Sequence, residues 1–266
     1  MAPTTTPSKS FLTCVLIHGG AYDRCTFAFN QNSNYDNWQA LLLSLSISSD
    51  PQNIAILSPN YRGSSGRGEK FASALPVEGL GTVEYNDIIT LASEGIKLGL
   101  VDPGRIIVGI WSQGGILSYL LTTRRNIEAT IGNWKIKGAI IGPGGSDIDT
   151  LVMTSDRPYM QAEGIGGAPW EAGRDDTRSE NASALRRLRR KGAADAMPKM
   201  LIIHGKEDKR IPVSQAMAFR EACEGLGVGK TVEMVIYPKE GHMILQRAHL
   251  VDMLERVEKF CKDLFN

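Results

Sequence analysis

The sequence contains few cysteines, no excess of charge of either sign and no long hydrophobic run. Its four cysteines have no C-x-x-C spacing, so we predict reduced, buried thiols and neither a disulfide scaffold nor a cysteine metal cluster. Lys+Arg 30 against Asp+Glu 29 gives a net charge of +1, which argues against a nucleic acid or an anionic membrane as partner. The apolar runs fall well short of the roughly 18 residues that cross a bilayer, so no transmembrane helix is expected.

The composition that remains is typical of a soluble globular protein. With 42% hydrophobic and 22% charged residues among 266, the chain can bury one large core, and no repeat or linker divides it. We therefore predict a single domain over residues 1–266. The polar N-terminal segment MAPTTTPSKS lacks the pattern of a signal peptide, so the expected location is the cytoplasm.

Apolar, strand-like runs alternate with longer segments of helical period. The predicted strands are Phe11 to Ile17, Ile54 to Leu57, Ile106 to Trp111, Ile136 to Ile141, Lys199 to Ile203 and Thr231 to Tyr237. The predicted helices are Tyr35 to Ser49, Val83 to Leu98, Gly114 to Arg124, Val213 to Gly225 and Ile244 to Leu264. This pattern predicts an α/β protein with a mostly parallel, doubly wound sheet of six strands and helices on both faces.

One interval breaks the alternation. Gly142 to Pro198 separate two predicted strands by too many residues for a bare loop, so we predict a cap-like insertion over residues 142–198. Substrate selection is expected to reside there. Within it, the basic run RRLRRK (Arg186 to Lys191) is predicted to be a solvated helix face rather than a nucleic-acid patch.

A strand, a tight turn and a helix are predicted around one serine. The segment RIIVGIWSQGG places Ser112 between an apolar strand and the glycines Gly114 and Gly115. Such a turn is typical of a nucleophile elbow, which lifts the serine oxygen above the carboxyl end of a strand and lets the helix N-terminus face developing negative charge. Ser112 is therefore the candidate nucleophile.

A serine nucleophile needs a neutral imidazole within hydrogen-bond reach. Among the four histidines, only His242 falls on a loop after the last predicted strand, at the edge where open α/β sheets build their sites. We predict that His242 is the base. His18, His204 and His249 are expected to be structural or to support the site.

The base in turn needs a carboxylate that fixes its tautomer. Asp208 follows the preceding strand in the segment LIIHGKED, and Glu207 is the alternative. The chain order Ser112, Asp208, His242 is the order of α/β-hydrolases and differs from that of the other serine-triad folds. The three positions together predict an α/β-hydrolase fold.

Several segments in register resemble the catalytic domain of the prolyl oligopeptidase family, the α/β-hydrolases that include dipeptidyl peptidases and acylaminoacyl peptidases. The matching segments are LIHGG (Leu16 to Gly20), SPNYRGSSGRG (Ser58 to Gly68), VDPGRI (Val101 to Ile106), WSQGG (Trp111 to Gly115), GGAPWE (Gly166 to Glu171), IHGKED (Ile203 to Asp208) and YPKEGH (Tyr237 to His242). The resemblance covers nearly the whole chain. It implies a serine hydrolase that needs neither cofactor nor metal.

The resemblance also implies how the oxyanion is held. In the family the tyrosine of the N-Y-R-G motif, here Tyr61, donates its hydroxyl beside the backbone N–H of the residue after the nucleophile, here Gln113. Each such donor contributes roughly 2.7 to 4 kcal/mol of transition-state stabilisation. Gly19 and Gly20 are expected to line the same pocket.

Two departures from the family pattern matter. Ile110 stands two residues before the serine, where the G-x-S-x-G motif has glycine, and its β-branched side chain is expected to reshape the turn. Only residues 1–10 precede the first predicted strand, whereas the family has two further strands and often a β-propeller before this point. If the other strands keep the family order, Ile54 to Leu57 forms an apolar strand at the edge of the sheet. Proteins usually cover such an edge or pair it with another strand, so we predict a homodimer.

The acidic propeller residues with which dipeptidyl peptidases capture an amino terminus have no counterpart segment. We therefore expect hydrolysis of an ester, thioester, lactone or amide bond in a small, largely apolar substrate. Candidate substrate contacts in and beside the insertion are the apolar residues Trp111, Tyr159, Met160 and Trp170, with Arg157 or Arg174 as anion partners.

Two alternatives stay open at the level of the sequence. The same triad could catalyse non-hydrolytic or carbon–carbon bond chemistry, such as cyclisation, isomerisation or a retro-Claisen step, in specialised metabolism. Alternatively, Ile110 could spoil the turn and leave a non-catalytic, ligand-binding protein of hydrolase fold.

Overall fold

The computed structural model describes residues 11–20, 22–26, 54–125 and 134–265. Six strands lie in these ranges: β1 (Phe11–Ile17), β2 (Ile54–Leu57), β3 (Val101–Ile110), β4 (Ile136–Ile141), β5 (Lys199–Gly205) and β6 (Val232–Tyr237). They form one sheet in the order β2-β1-β3-β4-β5-β6, and every neighbouring pair is parallel. Because the chain leaves β1 toward both sides, the sheet is doubly wound, as predicted.

Ten α-helices lie in the same described ranges. They are α1 (Glu69–Ala72), α2 (Ala74–Glu78), α3 (Val83–Lys97), α4 (Gln113–Arg124), α5 (Ile148–Thr154), α6 (Pro158–Glu163), α7 (Asp176–Ala182), α8 (Ala184–Arg187), α9 (Ser214–Gly225) and α10 (Arg247–Phe265). None of these described helices combines the length and the apolar character needed to span a membrane. The predicted helix Tyr35 to Ser49 lies outside the described residues.

The strands are apolar on both faces because each face packs against helices. Along β3, Ile106 and Val108 join one apolar cluster, and Ile107 and Ile110 join the other. Helices α3, α4 and α9 supply the first cluster, and α10 supplies the second through residues such as Met253. This two-sided burial explains why the strands read as continuous apolar runs.

The predicted insertion between β4 and β5 contains the four short helices α5 to α8. Asp149 binds Arg174 at 2.6 Å and Arg186 at 2.7 Å, which ties three parts of the insertion together. Arg187, in the basic run, is buried and bonds Asn181. The basic run is therefore not a uniformly solvated helix face, because part of it is used for contacts within the cap.

Strand β2 lies at the edge of the described sheet, as expected from the family order. The homodimer inferred from this edge stays a prediction, and light scattering tests it, since a strictly monomeric species would contradict it. None of the four cysteines, which all lie in the described residues, is part of a disulfide; Cys25 is partly exposed and the other three are buried.

Candidate active site

The turn between β3 and α4 places Ser112 at the carboxyl edge of the sheet. Ser112 has φ +60° and ψ −123°, a strained conformation for a residue with a side chain, and α4 begins at the next residue. Helix α4 comes close to β1, because a Cβ added to Gly114 would lie 1.9 Å from the backbone oxygen of Ile17. A glycine is therefore required there for the helix to start directly under the turn.

Ile110 does not prevent this turn. It is buried, has φ +150°, and its carbonyl oxygen accepts a hydrogen bond from Gly142 N–H at 2.6 Å. The β-branched side chain is accommodated at the cost of a second strained residue, and the strand, turn and helix retain their order.

His242 and Asp208 lie against each other, on the loops that follow β6 and β5. His242 Nδ1 donates to Asp208 Oδ2 at 2.8 Å, and the Asp208 side chain is fully buried. The other oxygen, Oδ1, accepts the backbone N–H groups of Arg210 at 2.8 Å and Ile211 at 2.9 Å. The alternative carboxylate, Glu207, is exposed, and the structure brings Asp208 to His242 instead.

Trp111 connects the serine turn to the histidine loop. Its indole Nε1 donates to the carbonyl oxygen of His242 at 2.6 Å, and its side chain is 1% exposed. The Trp111 ring is therefore buried and does not line the cavity beside Ser112, so its predicted contact with substrate stays a prediction. Because Trp111 directly precedes Ser112, this hydrogen bond links the serine turn to the loop that carries His242.

Sequence reasoning missed Glu240, which organises the histidine loop. Its buried carboxylate accepts the N–H groups of Leu245 at 3.0 Å and Gln246 at 2.9 Å and pairs with His249 Nδ1 at 2.8 Å. Burial acts to raise the pKa of Glu240, but these donors together hold it below its ordinary value. The only signal in the sequence is an acidic residue two positions before His242.

A cavity of about 170 Å³ opens beside Ser112. Gln113 and Gly20 line it, as expected, whereas Gly19 does not. The other lining residues are the apolar Leu75, Leu80, Ile116, Met160 and Ile211, together with Gln161, Glu163, Gly164 and Arg210. Apolar side chains thus predominate in its wall, and the cap supplies part of it through Met160.

The Tyr61 hydroxyl is bonded to the backbone and is not seen to face the cavity, unlike the oxyanion donor that the family resemblance implies. Its side chain is 1% exposed, its hydroxyl donates to the carbonyl oxygen of His18 at 2.8 Å, and it does not line the cavity. The ring stacks on His18 with 4.4 Å between centroids. Tyr61 therefore supports the His18–Gly20 loop.

The remaining candidate substrate contacts lie on the surface of the cap. Tyr159 and Trp170 are largely exposed, meet edge to face at 6.4 Å, and do not line the cavity. Arg174 is paired with Asp149 and with Asp176, so it is not an available anion partner. Arg157 is exposed at the start of α6 and is not in the cavity wall.

The other histidines have structural surroundings. Burial lowers the pKa of His204, whose Nε2 donates to the carbonyl oxygen of Ile211 at 2.8 Å and lies 3.6 Å from Asp208 Oδ2. His249 pairs with Glu240. Like His204 and His249, His242 does not line the cavity beside Ser112. What distinguishes His242 is its hydrogen bond to the buried Asp208.

The sequence matches the model of the prolyl oligopeptidase family, a peptidase family, over residues 43–266. The chain belongs to the prolyl oligopeptidase family. The predicted family membership is thereby confirmed.

Two curated relatives are considerably longer than the segment that aligns with this chain. Acylamino-acid-releasing enzyme 1 of Oryza sativa subsp. japonica is 26% identical over 234 residues, which cover 86% of this chain and 27% of that protein. Dipeptidyl-peptidase 5 of Porphyromonas gingivalis is 30% identical over 196 residues, which cover 73% of this chain and 26% of that protein. The chain thus spans about a quarter of the length of these relatives.

Solved structures share the fold. A puromycin-hydrolyzing peptidase of Mycobacterium tuberculosis has a TM-score of 0.77 at 21% identity, over 98% of this chain and 35% of that one. An acylaminoacyl peptidase in complex with Z-Gly-Gly-Phe-chloromethyl ketone has a TM-score of 0.75 at 22% identity, over 99% of this chain and 38% of that one. With the parallel six-stranded sheet, these likenesses confirm the α/β-hydrolase fold.

Proposed function

We propose that this protein is a serine hydrolase that cleaves an amide or ester bond in a small, peptide-like substrate with an apolar side chain. The observation that carries the proposal is the 2.8 Å hydrogen bond between His242 and the buried Asp208. The loop that carries His242 is in turn hydrogen-bonded by Trp111, which adjoins the strained turn at Ser112. Family membership and the peptidase names of the relatives favour peptide-like substrates over other carbonyl compounds.

The proposed reaction begins with attack of Ser112 Oγ on the substrate carbonyl carbon. His242 Nε2 takes the serine proton, while Asp208, which accepts from Nδ1, stabilises the imidazolium that forms. The imidazolium then protonates the leaving group, which departs as the acyl-enzyme forms. Water, deprotonated by His242, attacks the acyl-enzyme and releases the acid.

Backbone groups are the proposed oxyanion donors. The N–H of Gln113 lies at the N-terminus of α4, where the helix dipole also favours negative charge. Because Gly20 lines the same cavity as Ser112 and Gln113, we take its N–H as the second donor, in place of the Tyr61 hydroxyl. Two such donors are the usual composition of an oxyanion hole.

The size and lining of the cavity suggest the substrate class. About 170 Å³ enclosed largely by apolar side chains suits one medium-sized apolar side chain next to the attacked carbonyl. Tyr159 lies beside Met160 on α6, and Trp170 lies in the turn region after α6, so longer substrates would extend over this exposed aromatic pair.

Labelling with a fluorophosphonate probe tests the nucleophile. The wild type and Ser214→Ala should be labelled, whereas Ser112→Ala should not be. Ser214 is a suitable control because it is an exposed serine at the start of α9. Equal labelling of Ser112→Ala and the wild type would remove Ser112 as the activated nucleophile and favour the ligand-binding alternative.

Reaction in oxygen-18 water tests whether the chemistry is hydrolysis. Hydrolysis through an acyl-enzyme places one labelled oxygen in the carboxylate of the acid product. Products free of label, formed by an enzyme that still depends on Ser112, would instead favour the non-hydrolytic alternative.

A further inference from the structure

Residues 155–157 of the cap, between α5 and α6, contact the loop that follows β5. Ser155 Oγ donates to the carbonyl oxygen of Arg210 at 2.7 Å, and the backbone N–H of Asp156 donates to the carbonyl oxygen of Lys209 at 2.8 Å. A partly exposed ion pair between the side chains of Arg210 and Asp156, at 2.7 Å, adds a third link. The mechanism proposed above uses neither Ser155 nor Asp156, and neither lines the cavity beside the serine turn.

The two peptides that the cap contacts are the same two that hold the carboxylate of Asp208. The peptide between Lys209 and Arg210 donates its N–H to Asp208 Oδ1 at 2.8 Å. The peptide between Arg210 and Ile211 donates its N–H to the same oxygen at 2.9 Å. Each peptide therefore accepts a hydrogen bond from the cap at its carbonyl end and donates one to Asp208 at its amide end.

The planarity of a peptide couples its two ends. In a trans peptide the C=O and the N–H point in opposite directions, and the described peptide bonds are all trans. Fixing the carbonyl oxygen therefore fixes the direction of the N–H on the other side. A carbonyl oxygen that accepts a hydrogen bond also polarises the N–H of its own peptide, which strengthens the bond from that N–H to a carboxylate.

The direction of each hydrogen bond along this path is determined by its partners. The single hydroxyl proton of Ser155 goes to the Arg210 carbonyl oxygen, which can only accept, and Ser155 Oγ in turn accepts the backbone N–H of Arg157 at 3.1 Å. Because Oδ1 of Asp208 accepts the two peptide N–H groups, Oδ2 is left for His242 Nδ1 at 2.8 Å. A continuous chain of hydrogen bonds thus runs from Ser155 through one peptide and Asp208 to His242.

We propose that Ser155 is a positioning residue through which the cap aligns the Asp208 carboxylate with His242. Asp156 supplies the matching bond from its backbone, so the cap holds both peptides that donate to Asp208. The proposal rests on the proposed function, because it presupposes that Asp208 and His242 act on Ser112. It gives the cap a part in the chemistry in addition to substrate selection, since Ser155 acts through a peptide and does not touch the substrate.

The first experiment compares Ser155→Ala with Thr154→Val in the full chain. Thr154 is the adjacent, exposed residue, and its hydroxyl bonds the carbonyl oxygen of Thr150 at 2.7 Å, so the control removes a cap hydroxyl that bonds within its own helix. With an N-acetyl-leucine nitrophenyl ester as the probe, Ser155→Ala should lower kcat about tenfold with little change in KM, because the carboxylate is misaligned and not removed. Thr154→Val should match the wild type, and Ser155→Thr, which keeps the hydroxyl, should retain most of kcat.

The second experiment tests whether Ser155 acts through Asp208. In Asp208→Asn the amide does not hold His242 in the productive tautomer, so no carboxylate is left for Ser155 to align. Adding Ser155→Ala to Asp208→Asn should therefore lower kcat by less than about twofold. A role of Ser155 in substrate binding or in general packing would instead lower kcat by about tenfold again, and this outcome would contradict the proposal.

The proton NMR signal of His242 Nδ1–H gives a direct readout of the bond to Asp208. A proton in a short hydrogen bond to a carboxylate resonates at low field, and a longer bond moves its signal upfield. We expect an upfield shift in Ser155→Ala and an unchanged signal in Thr154→Val and Ser155→Thr. A merely structural role would lower the melting temperature and leave the signal in place. An unshifted signal in Ser155→Ala, or a kcat equal to that of Thr154→Val, would overturn the proposal.

If Ser155→Ala does not fold, Ser155→Cys carries the same comparison, because its thiol is of similar size and only a weak donor. It should show a smaller loss of kcat and an upfield shift of the His242 signal, and wild-type values of both would count against the proposal. Failure of these tests would leave fluorophosphonate labelling of Ser112 in the wild type unchanged, so it is distinct from failure of the proposed function.

Discussion

Replacing Asp208 by asparagine changes one oxygen of the site into an NH2 group at nearly constant shape. Oδ1 of Asp208 accepts two backbone N–H groups, from Arg210 and Ile211, and Oδ2 accepts from His242 Nδ1. In Asp208→Asn the amide oxygen must stay with the two backbone donors, because turning NH2 toward them would leave buried groups unpaired at about 1–3 kcal/mol each. The NH2 group therefore faces His242.

This orientation forces His242 into the wrong tautomer. To accept from the new NH2, Nδ1 must present its lone pair, so the single proton of the neutral ring moves to Nε2. The Nε2 atom can then no longer accept the proton of Ser112. We expect kcat/KM to fall by about 10⁴, which corresponds to about 5.5 kcal/mol of transition-state stabilisation.

Steady-state hydrolysis of a nitrophenyl ester measures this loss, and thermal unfolding checks that the variant is folded. Glu207→Gln is the matched control, because it makes the same chemical change in the neighbouring exposed carboxylate, and its kcat/KM should stay unchanged. A kcat/KM of Asp208→Asn within about tenfold of the wild type, or an equal loss in Glu207→Gln, would contradict this role of Asp208.

Three further perturbations test the surroundings of the site. Tyr61→Phe should lower the stability measured by thermal unfolding by about 1–3 kcal/mol, because the buried carbonyl oxygen of His18 loses its donor. Its kcat should fall by less than the roughly 10²–10³-fold expected when an oxyanion donor is removed, and a larger fall would assign that role to Tyr61. Gly114→Ala should destabilise by about 3 kcal/mol in urea, since its Cβ would lie 1.9 Å from a β1 oxygen, whereas Gly225→Ala, with open space around it, should have little effect. Burial acts to raise the pKa of Asp149, but its arginine partners lower that pKa to about 2. The ionised Asp149 therefore stabilises the folded protein above about pH 4, and this stabilisation is lost as the pH falls toward 2. Asp149→Asn should lower the free energy of unfolding by about 2 kcal/mol at pH 6, and the variant should lose less stability than the wild type between pH 4 and pH 2. An equal loss of stability in this pH range would contradict the role given to Asp149.

The strands were predictable because the sheet is buried on both faces. β1, β2 and β4 have the predicted bounds, since each is an apolar run that ends at polar residues or turns. β3 begins at Val101 instead of Ile106, because Phe11 pairs with Val101 and extends the ladder through polar, partly exposed residues. The hydrophobic pattern of the sequence does not show such an extension, because it depends on backbone pairing and not on apolar side chains.

Which side chains face the reacting atoms was less predictable. Ser112, Asp208 and His242 follow strands that end at one edge, and topology alone brings these positions together. Trp111 and Tyr61 also adjoin that edge, yet both point inward and bond backbone carbonyl oxygens instead of lining the cavity. Side-chain direction at a turn depends on φ and ψ, which the residue type alone does not determine.

The cap shows a different limit. The ion pairs of Asp149 with Arg174 and Arg186 join residues that lie 25 and 37 positions apart. Charge patterning reveals neighbours on one helix, at intervals of three or four, but not partners across several short helices. The basic run therefore resembled a solvated surface in the sequence, although Arg186 and Arg187 are used to hold the cap together.

Ile110 illustrates why a departure from a motif need not abolish its structure. Its φ of +150° is unfavourable for a β-branched residue and costs about 1–3 kcal/mol. Its side chain is only 2% exposed and packs in the second apolar cluster, and burying an isoleucine contributes about 1.5–3 kcal/mol. Because the two terms are of similar size, the position can hold isoleucine where the motif has glycine, and Ser112 keeps the strained turn that a nucleophile elbow requires.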